Sequence, residues 1–95
     1  MRKYELMYIV KPSLDEEART AVIEKSHAIL TDNGATLDNV NEWGLRELAY
    51  EIEDFKKGYY VVTTFTSEDT AINEFNRLTR INKDVLRHMI VRLED

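Results

Sequence analysis

The sequence predicts an α+β fold in which two helices pack on one face of a four-stranded antiparallel sheet. Four segments alternate in polarity or are dense in β-branched and aromatic residues, and two segments repeat apolar residues at helical spacing. Their order along the chain is βαββαβ. Because 95 residues can build one good core but not two, we expect a single domain over residues 1–95.

The first strand and the first helix are marked within residues 3–32. Alternation of apolar and more polar residues predicts β1 at residues 3–10, and Pro12 ends it. Ser13 and Glu16 have the spacing of a capping box, in which Ser13 is the N-cap. Helical spacing of apolar residues then predicts α1 at residues 14–32, with Asn33-Gly34 as a left-handed stop.

A long hairpin is predicted next. Thr36–Ile52 forms a strand region, β2, in which Gly44 marks a bulge or bend. Leu48, Tyr50 and Ile52 alternate late in β2 and are expected to pack inward. The segment 53–58 is a polar connection, and 59–65 is dense in aromatic and β-branched residues, which predicts β3.

The second helix and the last strand complete the chain. Ser67 is expected to cap a helix, α2, that carries its apolar face through to Thr79, and 85–93 returns to strand character as β4. Right-handed crossovers then give a ferredoxin-like arrangement with β1 and β4 side by side at the sheet centre and one sheet face open. The residues expected in the core are Tyr4, Leu6, Val10, Ile72, Phe75 and Ile90.

Composition excludes several classes of function. The chain has no cysteine and only two histidines, His27 and His88, which argues against disulfides and a metal site. Neither histidine has a nucleophile or a paired acid beside it, and no glycine-rich phosphate loop is present, so we predict a protein that is not an enzyme and uses no cofactor or small-molecule substrate. With no signal peptide and no apolar run near ~20 residues, we expect a cytoplasmic protein without a membrane segment.

Charge is unevenly distributed. The net charge is −5, yet residues 77–92 hold five basic residues against the single Asp84, and Arg2 and Lys3 add a second basic point. Such a run is commonly a solvated face, but it is also the pattern that contacts phosphate, since arginine grips phosphate in a bidentate way. An acid excess elsewhere predicts that the isolated chain binds a polyanion weakly and that a positively charged partner supplies the missing charge.

One strand partly resembles an RNA-recognition motif. Lys57-Gly58-Tyr59 begins like its aromatic strand, but Val61 and Thr64 stand where further aromatic residues are needed. Tyr8 also falls on the core side of β1. The competing interpretation is therefore an ordinary β-hairpin strand with no role in base stacking.

The segment 43–52 is more specific. Gly44, a basic residue at Arg46 and the run Leu48-Ala49-Tyr50 followed by Ile52 resemble the signature of the bacterial small-subunit ribosomal protein six family. The resemblance extends over essentially the whole chain, from Met1–Glu5 through Asn33-Gly34-Ala35 to the stretch 80–92. Glu53 departs from the family, which more often carries a basic or small polar residue there.

The resemblance implies a structural constituent of the small ribosomal subunit that joins ribosomal protein eighteen and binds the central domain of small-subunit ribosomal RNA. On this basis we predict RNA contacts by Arg2, Lys3, Arg80, Arg87 and Arg92. A separate partner-binding surface is predicted around Trp43, Arg46, Leu48 and Tyr50. The alternatives are a ferredoxin-like regulatory domain for a small ligand and a binder of single-stranded RNA like the RNA-recognition motif.

Overall fold

The computed structural model describes residues 1–93 and contains the predicted elements in the predicted order. They are β1 Arg2–Val10, α1 Glu16–Asp32, β2 Thr36–Ile52, β3 Phe55–Ser67, α2 Asp69–Arg80 and β4 Val85–Arg92. All neighbouring strands are antiparallel, in the order β2-β3-β1-β4. The α+β, ferredoxin-like fold is therefore confirmed.

The predicted place of β4 was wrong in one respect. It pairs with β1 as expected, with Leu6 opposite Ile90, but it lies at the edge of the sheet and not at its centre. β3 occupies the other side of β1, with Leu6 opposite Thr63, and brings its hairpin partner β2 with it. The two central strands are therefore β1 and β3.

The start of α1 differs from the prediction. The helix begins at Glu16, two residues later than expected, and its N-cap is Asp15 instead of Ser13. The Ala18 amide donates to Asp15 Oδ1 at 2.8 Å. An aspartate satisfies the amide as well as serine does and adds negative charge at the positive end of the helix, which explains why it takes the cap. Gly34, at φ +91°, provides the predicted left-handed stop.

Ser67 does not cap α2, contrary to the sequence prediction. It is buried as the last residue of β3, opposite Arg2, and its hydroxyl donates to the Glu68 carbonyl oxygen at 3.0 Å. The cap position belongs to Glu68, whose side chain makes no capping hydrogen bond. Pairing with β1 holds Ser67 in the sheet for one residue longer than its capping propensity predicts.

The core lies between the helices and one face of the sheet. Tyr4, Leu6, Val10 and Phe75 are buried, as predicted. The two other predicted core residues, Ile72 and Ile90, are half-buried and pack against its margin. Ile90 is on the edge strand, where neighbours cover it from one side only.

The hairpin is longer and tighter than predicted. β3 begins at Phe55 instead of Tyr59, so the polar connection shrinks to a turn at Glu53 and Asp54, whose φ angles are +49° and +71°. Two consecutive left-handed residues match the twist of a two-residue hairpin. Because β1 ends where Val10 pairs with Tyr59, the tip of the hairpin projects beyond it.

Gly58 is required where β3 passes the end of β1. A Cβ atom at this buried position would clash with Cγ2 of Ile9 and lie 3.4 Å from Cδ2 of Leu48. The missing side chain thus allows Ile9 and Leu48 to approach the backbone.

Replacing Gly58 with alanine should lower the free energy of unfolding by about 1–3 kcal/mol, because the new methyl group overpacks this contact. Urea unfolding measures the change. The Gly58→Ala loss should shrink in an Ile9→Ala background, where Cγ2 is gone. An equal loss in both backgrounds would show that the contact is not the cause.

Candidate RNA and protein interface

Basic residues from the two ends of the chain meet at one end of β4. Arg92 pairs with Tyr4, Arg2 is two residues before Tyr4 in β1, and the Leu93 amide donates to the Lys3 carbonyl oxygen at 2.9 Å. Side-chain alternation puts Arg2 and Arg92 on the helix-packed side of the sheet with Tyr4, and Lys3 on the opposite side. The antiparallel pairing of β1 and β4 therefore brings together residues that lie about 90 positions apart in the sequence.

Arg80 and Arg87 lie near the other end of β4. Arg80 is the last residue of α2, and Arg87 pairs with Ile9, far from the start of β1. Arg92 is five positions after Arg87 along the strand, which corresponds to roughly 17 Å. The five predicted RNA-binding residues thus form two groups and not one.

The predicted partner surface begins with an aromatic stack on the open face, which is the sheet face turned away from the helices. The rings of Trp43 and Tyr60 are nearly parallel, with their centroids 6.3 Å apart. Arg46 lies over the Trp43 ring with its Cζ atom 5.4 Å from the centroid. Trp43 remains 48% exposed, so a large aromatic surface is held in place yet available.

The second part of this surface arises from a bulge in β2. Glu47 pairs with Lys57 and Ile52 with Phe55, so residues 48–51 stand opposite a single residue of β3. This shift carries Tyr50 onto the open face, where it is 60% exposed. Leu48 and Ile52 line a pocket on the same face, so the expectation that all three pack inward was wrong.

Tyr50 and Arg87 join the two sets of predicted site residues. The Arg87 Nη1 group donates a hydrogen bond to the Tyr50 hydroxyl, and its Cζ atom lies 5.9 Å from the Tyr50 ring centroid. Beneath them is a small pocket of about 160 Å³. Its lining is mainly apolar and includes Met7, Ile9, Leu48, Tyr60 and Met89.

Sequence reasoning missed Tyr60 and the pocket. The available signal was that β1 is apolar on both sides from Leu6 to Val10, so Met7 and Ile9 needed a cover other than the helices. Nothing in the sequence predicts the length of the bulge in β2, and it is this bulge that brings Leu48 over Met7 and Ile9.

The tyrosine arrangement disfavours the RNA-recognition-motif alternative. Tyr59 lies on the helix side of the sheet, where Arg19 Cζ is 4.3 Å from its ring centroid and its hydroxyl donates to Glu42 Oε1 at 2.8 Å. This hydrogen bond is the main reason that the Tyr59 pKa is raised. Tyr8 is fully buried. Base stacking would therefore lack two of the aromatic residues on which that mode depends.

Both histidines lie within hydrogen-bonding distance of neighbouring side chains. His27 Nε2 lies 3.0 Å from the Tyr8 hydroxyl and 3.2 Å from Thr63 Oγ1, within hydrogen-bonding distance of both. His88 Nε2 lies 2.9 Å from Asn76 Oδ1. Burial lowers the pKa of each histidine, and the charge of Arg80 lowers that of His88 further. These contacts fit the structural role predicted for both.

Stability should fall as the pH drops through about 6.5, the ordinary pKa of histidine. Folding lowers the pKa of His27 and of His88, so just below that pH the unfolded chain binds more protons than the folded one, and acid favours unfolding. Well above that pH both histidines are neutral in the folded and the unfolded chain, so they do not make the free energy of unfolding depend on pH. Urea unfolding between pH 7.5 and 5.5 should show a smaller decline for His27→Gln than for wild type. Identical declines would refute this linkage for His27.

The described residues offer neither a metal site nor a membrane-spanning helix. Over residues 1–93, no group of three or more histidine, cysteine, aspartate or glutamate side chains is placed to hold a metal ion. Within the same residues, neither helix has the length and apolar character needed to cross a membrane.

Comparison with known proteins identifies the family. The family model for ribosomal protein S6 matches residues 3–92. Among solved structures, 30S ribosomal protein S6 from Thermotoga maritima matches with a TM-score of 0.92 and 30% sequence identity, covering 97% of this chain and 87% of that one. The chain therefore belongs to the ribosomal protein S6 family, whose members are constituents of the small ribosomal subunit in the cytoplasm.

Proposed function

We propose that this protein binds the central domain of small-subunit ribosomal RNA jointly with ribosomal protein eighteen, as a structural constituent and not as an enzyme. The observation that carries the proposal is the division of its surface. An aromatic and apolar open face lies on one side of the sheet, and basic groups lie at the two ends of β4.

The open face has the composition of a protein interface. Tryptophan, tyrosine and arginine are the residues that dominate binding energy at such interfaces. They are present here as two cation-aromatic pairs, Arg46 with Trp43 and Arg87 with Tyr50. Met89 and Val91 extend the exposed apolar surface along β4. Neither helix packs on this side, which supports its assignment to a partner protein.

The basic groups support contact with phosphate, but each group contains only a few cations. A chain of net charge −5 that presents two or three cations at a time neutralises few phosphates. Because affinity for RNA at physiological salt depends steeply on the number of neutralised phosphates, the isolated chain should bind weakly. A basic partner seated on the open face would enlarge the positive surface. We therefore propose that RNA binding is tight only when the partner is present.

Binding of the isolated central domain to purified components tests the proposal. At physiological salt the mixture of this protein with ribosomal protein eighteen should bind the RNA more tightly than either protein does alone. Tight binding by this protein alone would contradict the proposed dependence on the partner. A mixture that binds no better than the partner alone would contradict a role for this chain in RNA binding.

A further inference from the structure

A basic cleft lies where α2 ends and β4 begins. It has a volume of about 430 Å³, and its lining includes three cations, Arg80, Lys83 and Arg87. His88 and Asn82 add polar groups, and Glu53 from the hairpin turn is the one carboxylate among the lining residues of the described chain.

The turn after α2 arranges these residues. The Asn82 amide donates to the Thr79 carbonyl oxygen at 3.1 Å, and the Asp84 amide donates to Asn82 Oδ1 at 3.0 Å. This tight reversal places Arg80 and Lys83 on either side of Asn82 with exposed side chains. Cations at a helix C-terminus offset the helix dipole, and this effect alone would account for one of them.

Within residues 1–93, none of the three cations makes a salt bridge, since the ion pairs there are Met1 with Glu68 and Arg77 with Glu74. By contrast, Arg77 in the same helix turn is fully engaged, because its Nε and Nη2 groups donate to the Glu74 carboxylate at 2.7 and 2.8 Å. Burial is the main reason that the pKa of His88 is lowered, and the charge of Arg80 lowers it further, which agrees with a positive potential in the cleft. The cleft is therefore positive, and Arg80 and Lys83 are available to a ligand, whereas Arg87 also donates to the Tyr50 hydroxyl.

We infer that this cleft is a phosphodiester-binding site, in which Arg80 and Lys83 hold the RNA backbone apart from the contacts of Arg2 and Arg92. The inference rests on the proposed function, because it assigns a second point of attachment to the same RNA. Lys83 is a new member of the RNA-binding set. Arg87 borders both this cleft and the apolar pocket, so it connects the RNA site with the partner surface.

Phosphate is favoured over an acidic segment of a protein for three reasons. The partner proposed for this chain is basic, and the second basic group lies roughly 17 Å away along β4, a separation that an extended polyanion can span. Three cations around one opening also suit phosphate, which accepts several charge-assisted hydrogen bonds at once.

The loss-of-charge test compares two double variants that remove equal charge. Arg80→Gln with Lys83→Gln removes the cleft cations, and Arg77→Gln with Lys25→Gln removes two exposed cations elsewhere. Both are titrated with the central-domain RNA in the presence of ribosomal protein eighteen across a salt series. The cleft variant should lose about one unit of salt slope per lost contact and roughly 10- to 30-fold in affinity at physiological salt. The control should match wild type.

A gain-of-function variant guards against damage to the fold. Glu53→Gln keeps the shape of the side chain and removes the carboxylate from the cleft, so it should tighten RNA binding about two- to fivefold. Glu17→Gln, an exposed carboxylate in the first turn of α1, is the matched control and should have no effect.

An unchanged salt slope for the cleft variant, or an equal drop in its control, overturns the inference and leaves the proposed function standing if wild type still binds with its partner. Loss of partner binding without RNA, instead of loss of RNA binding, would assign the cleft to an acidic protein segment. No RNA binding by wild type with its partner would overturn both proposals.

Discussion

Replacing Phe75 with alanine is expected to lower the free energy of unfolding by about 3–5 kcal/mol. Phe75 is fully buried in α2, with its ring centroid 6.4 Å from that of Tyr8 and 5.5 Å from that of His88. It therefore joins the helix layer to both β1 and β4. The loss combines the transfer of a large apolar side chain to solvent with the cavity that remains between the layers.

Urea unfolding monitored by circular dichroism measures this loss. Leu45→Ala is the control, because Leu45 is 58% exposed and its truncation should change stability by less than about 0.5 kcal/mol. If Phe75→Ala unfolded at nearly the same urea concentration as wild type, the packing of α2 on the sheet would be wrong.

The largest effect on binding is expected from truncating both exposed aromatic residues of the open face. Trp43→Ala with Tyr50→Ala removes the ring that stacks on Tyr60 and the ring that holds Arg87. Truncating an aromatic hot-spot residue at a protein interface costs about 2 kcal/mol or more, and about 4 kcal/mol for the pair corresponds to a roughly 1000-fold fall in affinity for ribosomal protein eighteen. Isothermal titration without RNA provides the measurement.

The matched control truncates two exposed apolar residues outside the open face, Val40 and Ile81, to alanine. This variant should bind the partner as wild type does. Loss of partner binding in the control and not in the aromatic variant would move the partner surface to the other side of the sheet.

The strands were predictable where one rule acted alone. Alternation in β1 identified Tyr4, Leu6 and Val10 as core residues. Prediction failed where two residues could serve the same purpose. Ser13 and Asp15 can both cap a helix, and charge at the helix end favours the aspartate.

The sequence predicted where some of the proposed site residues lie, but not how they are grouped. The Arg2–Arg92 approach follows from antiparallel pairing, which the element order predicts. The Arg87–Tyr50 contact depends on residues 48–51 leaving the regular ladder, and the sequence there has no glycine or proline to mark it. The hairpin turn was equally hidden, because Glu53 takes a left-handed conformation that glutamate rarely adopts.

If RNA and the protein partner bind to different surfaces, the variant Arg2→Gln with Arg92→Gln should affect RNA binding alone. Both residues lie at the end of the sheet away from the Tyr50–Arg87 contact. Affinity for ribosomal protein eighteen is measured without RNA, and affinity for the central-domain RNA is measured with the partner present across a salt series. We expect unchanged partner affinity together with weaker RNA binding and a salt slope lower by about two units. Unchanged RNA affinity and slope, or a parallel loss of partner binding, would contradict the division of the surface.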